Sequence, residues 1–327
     1  MKKILQHLYN HGKLDQVQAK NIMLEITEEK YDPIQVASFL TVYNMRPISV
    51  DELDGFREGL MEKCNTLSFD MDCLDIVGTG GDGKDTFNIS TLSAVVMAGA
   101  GVKVAKHGNN SVSSICGSSN VLRHLGYVFT NDKSVLTEQL EKNNLCFLHA
   151  PFFHPAMKSV VPIRAAMGVK TFFNMLGPLV HPAQPKYNLF GVYNAPLSRL
   201  YQFILKKQQR AFSVIYNLDG YDEISLTDQF IVRTSNDTKT LSPTDLGMRK
   251  YKPEDLFGGA DIADNAKVFM DVLQDKATAA QKDVIIANAG FGIQLYKEDI
   301  SIEDALQHAR EAIESKAALN NFTKILN

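Results

Sequence analysis

Four glycines in a six-residue run, Gly78-Thr79-Gly80-Gly81-Asp82-Gly83, follow directly on the short strand Leu74-Asp75-Ile76-Val77. Backbone without Cβ atoms can approach a phosphate closely and point several N–H groups at it. Thr86, Asn88, Ser90 and Thr91 lead into the next helix. Hydroxyls and an amide at a helix N-terminus suit a pyrophosphate or a metal bound to one. The other reading, a glycine-rich turn that only joins strand to helix, needs no ligand.

Two better-known loops are excluded. Gly78-x-Gly80-x-x-Gly83 spells the dinucleotide fingerprint, which also wants an acidic residue about 20 positions on to hold a ribose. Here the next strand runs into the basic pair Lys106-His107. Gly78-x-x-x-x-Gly83-Lys84 nearly spells a nucleoside-triphosphate loop, but Asp85 stands where a magnesium-binding Ser or Thr belongs, and its charge repels phosphate. What remains is a phosphate loop of another kind.

The first seventy residues read as helices only. Leu14 to Lys30 carries apolar residues among charges. Pro33 suits a helix start, with Ile34, Val36, Ala37, Phe39, Leu40 and Val42 at helical spacing. Ser49-Val50-Asp51-Glu52 resembles a capped start with acids in the first turn. From Leu74 onward strands and helices alternate, with strands expected at 74–77, 102–105, 145–149, 188–192 and 211–216, strands and turns over 222–243, and helices over 261–273, 277–296 and 301–315. That alternation implies parallel strands covered on both faces. The expected fold is α/β: a small all-helical N-terminal domain plus a larger domain with a central, mostly parallel mixed sheet flanked by helices. The boundary falls at 1–70 and 71–327, with helices from about 155–185 joining the first domain.

A net charge of −3 and a pI near 6.2 give no general attraction to nucleic acid or to an anionic membrane, so any phosphate site must be built locally. Cys64, Cys73, Cys116 and Cys146 form neither a Cys-x-x-Cys pair nor a cluster, which argues against a disulfide framework or a zinc site. The basic start is followed by an interrupted apolar run rather than a signal-peptide core, and no stretch approaches about 18 apolar residues. A cytoplasmic protein is expected.

Four further clusters carry polar chemistry. Lys106-His107-Gly108-Asn109-Asn110-Ser111-Val112-Ser113-Ser114 follows the second strand, and Gly117-Ser118-Ser119-Asn120 offers another small, polar helix start. A solvated loop could have the same composition. His154-Pro155-Ala156-Met157-Lys158 and Arg164 lie on a turn and the helix after it; alone, His154 reads as structural. Lys170-Thr171-Phe172-Phe173-Asn174-Met175-Leu176-Gly177-Pro178-Leu179 could line a pocket for a flat aromatic ring or be core. Asp222-Glu223 is usually solvated surface, but beside an anionic ligand two adjacent carboxylates suit Mg²⁺.

As a set and in this order, the glycine loop with Thr86–Thr91, Lys106-His107-Gly108-Asn109, His154–Lys158, Asn174-x-x-Gly177-Pro178-Leu179 and Asp222-Glu223 resemble the anthranilate phosphoribosyltransferase family, within the class II phosphoribosyltransferase and nucleoside phosphorylase fold. Departures are Asn110 and Lys170 where arginine is common, and Ser119-Asn120 where Ala-Asp is common. The resemblance implies a magnesium-dependent pentosyltransferase of tryptophan biosynthesis, moving a phosphoribosyl group from phosphoribosyl pyrophosphate to the amine of anthranilate. It implies that Gly78, Thr79, Gly80, Gly81, Asp82, Thr86, Asn88, Ser90, Thr91, Lys106 and Ser118 bind phosphoribosyl pyrophosphate. Gly78, His107, Asn109, His154, Arg164, Gly177 and Pro178 would take anthranilate, and Ser90, Asp222 and Glu223 two Mg²⁺ ions. It further implies a homodimer through the helical domain. The rivals are a pyrimidine nucleoside phosphorylase, which needs only one phosphate and no carboxylate pair, and a non-catalytic nucleic-acid-binding relative, which would carry a basic surface.

Overall fold

The structure, a computed structural model, describes residues 1–110 and 116–326. They form two compact units, one of residues 1–67 and 150–184, the other of 68–149 and 185–326.

The first unit begins with α1 (Lys2–Tyr9), α2 (Gln16–Thr27), α3 (Pro33–Met45) and α4 (Val50–Glu62). Each start has a local cause. Asp32 accepts from Ile34 N at 2.8 Å ahead of Pro33, and Ser49 and Glu52 close a reciprocal capping box. Glu52 is fully buried and receives Arg46 on both oxygens, at 2.6 and 3.0 Å. Helix α1 falls within the all-helical stretch expected for the first seventy residues, and its one buried side chain, Leu8, accounts for its weak apolar pattern.

The chain then enters the second unit with β1 (Leu74–Gly78), α5 (Ile89–Gly99), β2 (Val104–Gly108), α6 (Ser118–His124), α7 (Lys133–Asn143) and β3 (Leu145–His149). It returns to the first unit for α8 (Ala150–Phe153), α9 (Val161–Met167) and α10 (Phe173–Leu176), where Phe172 stacks on Phe56 at 4.5 Å and meets Phe39 and Tyr43 edge-on. The rest belongs to the second unit: β4 (Tyr187–Gly191), α11 (Ala195–Lys207), β5 (Ala211–Asn217), the hairpin β6 (Phe230–Arg233) and β7 (Thr238–Leu241), and helices α12 (Ile262–Leu273), α13 (Ala279–Lys297), α14 (Ile302–Glu314) and α15 (Ala317–Ile325).

The sheet has the order β3-β2-β1-β4-β5-β6-β7, parallel through β5 and antiparallel in the last two pairings, so the expected mostly parallel mixed sheet is what forms. Helix α5 is buried almost all round, packed against α13, α14 and α15, which explains its continuous apolar composition. The sequence placed β2 two residues early. Lys106, His107 and Gly108 lie inside the strand, not after it, because Lys106 Nζ finds the Ile76 carbonyl at 2.5 Å and can be buried there. Strand order reverses beside β1, since the chain runs outward to β2 and β3 and then crosses to β4. Open α/β sheets bind ligands at the carboxyl ends of strands at such a switch point.

Candidate active site

The carboxyl ends of β1 and β4 lie in register, Gly78 beside Gly191, and Thr79 N donates to the Gly191 carbonyl at 2.9 Å. Asp222 sits directly over them. A Cβ on Gly78 would meet the Asp222 carboxylate, and one on Gly191 would collide with the Asp222 carbonyl, so only glycine admits this residue to both strand ends. Asp222 Oδ2 accepts from Gly80 N at 2.6 Å, tying the loop to a residue 142 positions later. Gly80, Gly81 and Gly83 hold φ of +66°, +78° and +76°, a conformation that L side chains avoid. Asp82 accepts from Lys84 N at 3.0 Å, and Lys84 lies over the Tyr221 ring. Thr86 pairs with Phe257 in an isolated bridge.

At the start of α5, Ser90 N donates to Glu223 Oε1 at 2.9 Å, and Lys106 Nζ reaches Ser90 Oγ at 3.4 Å. Thr91 is buried in the same turn. Asn88 donates from its side chain to the Cys116 carbonyl at 2.9 Å and from its backbone to Asn265 Oδ1 at 3.1 Å. Gly80, Asp82, Ser90, Lys106, Asp222 and Glu223 are thus brought to one place by hydrogen bonds and charge.

The charges there are not balanced. Burial, then the neighbouring Glu223 and Asp82, push Asp222 well above the usual carboxylate range. Removal from water pushes Glu223 up to about 7 and raises Asp82 as well. Burial lowers the Lys106 ammonium, the cation facing them. Among the described residues no three His, Cys, Asp or Glu side chains form a ready-made metal cage. Hard carboxylate oxygens, crowded and short of positive charge, nevertheless fit Mg²⁺, which is commonly held by one or two carboxylates plus substrate phosphates.

At the end of β2, His107 is buried and its backbone N donates to Asp75 Oδ1 at 3.1 Å. Burial pushes that Asp75 up to about 7. Exposed Asn109 uses its carbonyl to accept from Ser118 Oγ and Ser119 N, both at 3.1 Å, which closes the strand end onto α6. Beside it Arg123 donates to Asn110 Oδ1 and contacts His149 Nε2, at 2.8 and 2.9 Å, while Ser119 meets His149 Nδ1 at 2.9 Å. Burial, with Arg123 adding repulsion, lowers His149 to about 4, so this ring is neutral. Ser111, Val112, Ser113 and Ser114 of the same cluster lie outside the described residues.

Within the helical unit His154 is buried, Nε2 meets the Val180 carbonyl at 2.8 Å, and burial lowers the ring to about 4. Arg164 is half-buried over the Phe173 ring. Its Nη2 donates to Asn174 Oδ1 at 3.2 Å, and its Nε has no hydrogen-bond partner. Burial lowers this guanidinium's pKa, the mark of a cation set among apolar groups. Pro178 is buried. At exposed Gly177 an added Cβ would meet nothing within 4 Å, so nothing in this unit demands glycine there.

Sequence reasoning missed Asp75, His149, Asn265 and Asn288. Asp75 left a signal, a charged residue in an apolar strand; the two asparagines left none, because their partners are far away in the chain.

Residues 70–319 match the family model described as glycosyl transferase family, a/b domain, and residues 2–64 match the glycosyl transferase family, helical bundle domain. The chain is 53% identical over 325 residues to an anthranilate phosphoribosyltransferase of Cytophaga hutchinsonii, covering 99% of each. It is 46% identical to that of Bacteroides thetaiotaomicron, covering 100% of this chain and 98% of the other. Among solved structures, anthranilate phosphoribosyltransferase from Thermus thermophilus superposes with a TM-score of 0.91 at 30% identity, covering 98% of both chains. The Saccharomyces cerevisiae enzyme in complex with PRPP and Mg gives a TM-score of 0.91 at 26% identity, covering 98% of this chain and 95% of that one.

Proposed function

The chain belongs to the anthranilate phosphoribosyltransferase family, and from that premise we propose that it transfers the 5-phosphoribosyl group of phosphoribosyl pyrophosphate to the amine of anthranilate. In this step of tryptophan biosynthesis the bond from the anomeric carbon to the diphosphate oxygen breaks. The nitrogen–carbon bond forms, and the nitrogen loses a proton. The observation that carries the reading is the seat of Asp222 and Glu223 against the glycine loop and the start of α5, at the sheet's switch point. A single phosphate, as a nucleoside phosphorylase uses, gives no reason to gather uncompensated carboxylates there.

The diphosphate and ribose phosphate are assigned to Gly78, Thr79, Gly80, Gly81, Asp82, Thr86, Asn88, Ser90, Thr91, Lys106 and Ser118. Gly80 N and Ser90 N hold the carboxylates in place. Lys106, fixed in β2 by the Ile76 carbonyl, keeps its ammonium against Ser90 Oγ. Ser90, Asp222 and Glu223 would hold Mg²⁺, two ions in this reading, and bound Mg²⁺ neutralises charge on the leaving diphosphate. Positive charge develops on the ribose as diphosphate leaves, so fixed electrostatics and positioning do most of the work.

For anthranilate, Gly78, His107 and Asn109 are assigned in the α/β unit, and His154, Arg164, Gly177 and Pro178 in the helical unit. The Arg164 fork, lacking a carboxylate among its described partners, suits the acceptor's carboxylate. We extend the reading to a cytoplasmic homodimer through the helical unit, whose exposed Ile34 and Met45 on α3 support such a contact. Sedimentation of the purified chain reads that state.

The test mixes protein with phosphoribosyl pyrophosphate, Mg²⁺ and anthranilate, and follows loss of anthranilate fluorescence against an EDTA control. Metal-dependent loss is expected; its absence at any protein concentration overturns the reading. Arg164→Ala should raise KM for anthranilate by roughly tenfold to a hundredfold, the range of a charge-assisted hydrogen bond, and leave KM for phosphoribosyl pyrophosphate unchanged.

A further inference from the structure

We propose that Asn288, on α13, is a positioning residue that holds the backbone beneath Asp222 and Glu223 so that both carboxylates can take a divalent cation. This rests on the reading of those two residues as metal ligands.

Asn288 is 3% exposed and grips a single residue, Ile224, by both of its backbone groups. Its Oδ1 accepts from Ile224 N at 3.0 Å, and its Nδ2 donates to the Ile224 carbonyl at 2.8 Å. An Asn amide carries a donor and an acceptor in one plane, as a peptide does, so it clamps Ile224 much as a neighbouring strand would. The second Nδ2 hydrogen goes to the Val284 carbonyl at 2.8 Å, one turn earlier on α13, which anchors the clamp to its own helix.

Ile224 follows Glu223 directly, so fixing its peptide groups limits where the preceding carboxylates can move. From the loop side the amides of Gly80 and Ser90 hold those carboxylates, at 2.6 and 2.9 Å. Asp222 and Glu223 repel each other, and a slack segment would separate them. Asn288 also lines the small pocket formed by Gly78, Ser90, Asp222 and Glu223. Helix α13 packs along α5, whose first turn carries Ser90, so one helix sets both the carboxylates and the hydroxyl assigned to the metal.

The experiment titrates Mn²⁺ into the full-length protein with inorganic pyrophosphate and counts free Mn²⁺ by electron paramagnetic resonance, with thermal unfolding recorded separately. Asn288→Leu keeps the shape and removes all three hydrogen bonds. It should weaken Mn²⁺ binding by about tenfold or more, the usual effect of losing a group that orients a metal ligand. Tyr251→Phe is the control: it removes the 2.6 Å bond from Tyr251 to Asp283 on the same helix and should bind Mn²⁺ like the parent. Equal affinity in Asn288→Leu and the parent overturns the proposal, as does an equal loss in Tyr251→Phe. Failure of the parent to bind Mn²⁺ overturns instead the assignment of Asp222 and Glu223. If Asn288→Leu does not fold, Asn288→Ser carries the same comparison. Failure of both to fold also overturns the proposal, by making Asn288 a requirement of the whole fold.

Discussion

Glu52 in the helical unit and the Asp222–Glu223 pair in the α/β unit are carboxylates taken out of water, and their surroundings treat them in opposite ways. Burial disfavours Glu52's charge, but Arg46 on both oxygens and the amides of Ser49 and Leu14 outweigh it, and its pKa falls below the ordinary value. Asp222 and Glu223 each receive one backbone amide, face each other and Asp82, and their pKa values rise. A buried charge with its partners present is a structural device. Buried charges that repel, with their deficit open toward a glycine loop, mark a place completed by something the chain does not supply.

The sharpest break in the comparison comes from neutralising each side. Asp222→Asn/Glu223→Gln should reduce turnover by about a thousandfold or more, as removal of electrostatic stabilisation does, while the metal-free thermal midpoint rises because repulsion is relieved. A midpoint that falls would show the pair to be structural. Glu52→Gln should do the reverse. It leaves the Arg46 charge unpaired and costs about 3 kcal/mol of stability in chemical denaturation, with turnover of the folded protein intact; a selective loss of turnover would erase the contrast.

The smallest effect is in pH. Glu223 has a folded value of about 7 against an ordinary 4.5, and Asp75 about 7 against 3.8, so the folded state binds protons that the unfolded chain releases. Their penalty is absent at low pH and complete above about 7, so they make metal-free protein less stable as pH rises through that window. Lowering pH from about 8 to about 6 should therefore raise the EDTA-treated thermal midpoint by about 2–4 °C, and Asp222→Asn/Glu223→Gln should keep only the part due to Asp75. Glu52, with its depressed value, contributes stability above its unfolded pKa that is lost only as pH falls through its lower folded pKa. A midpoint that drops between about pH 8 and 6 would contradict both assignments.

Much of this was legible locally. Pro33 and the Ser49–Glu52 box mark helix starts because caps act over three residues. The strand–glycine–helix run at 74–91 and the adjacency of Asp222 and Glu223 are likewise contained in short windows. Lys106 and His107 read as loop residues because a buried Lys is tolerated only by a partner such as the Ile76 carbonyl, which lies 30 residues away. Asn265 was invisible for the same reason: it supports Asn88 across 177 residues. Helix α15 escaped notice although it packs along α5, since a short terminal segment carries too few turns for its period to stand out.

The sequence by itself determined the backbone chemistry: where glycine permits positive φ, where caps begin helices, and which segments alternate. Those are properties of single residues and near neighbours. Tertiary structure alone decided the charge state. It laid β4 beside β1, brought Asp222 over Gly78 and Gly191, and set Glu223 on Ser90 across 133 residues. A carboxylate's pKa depends on water and charge within a few ångströms, and only the folded sheet assembles those neighbours.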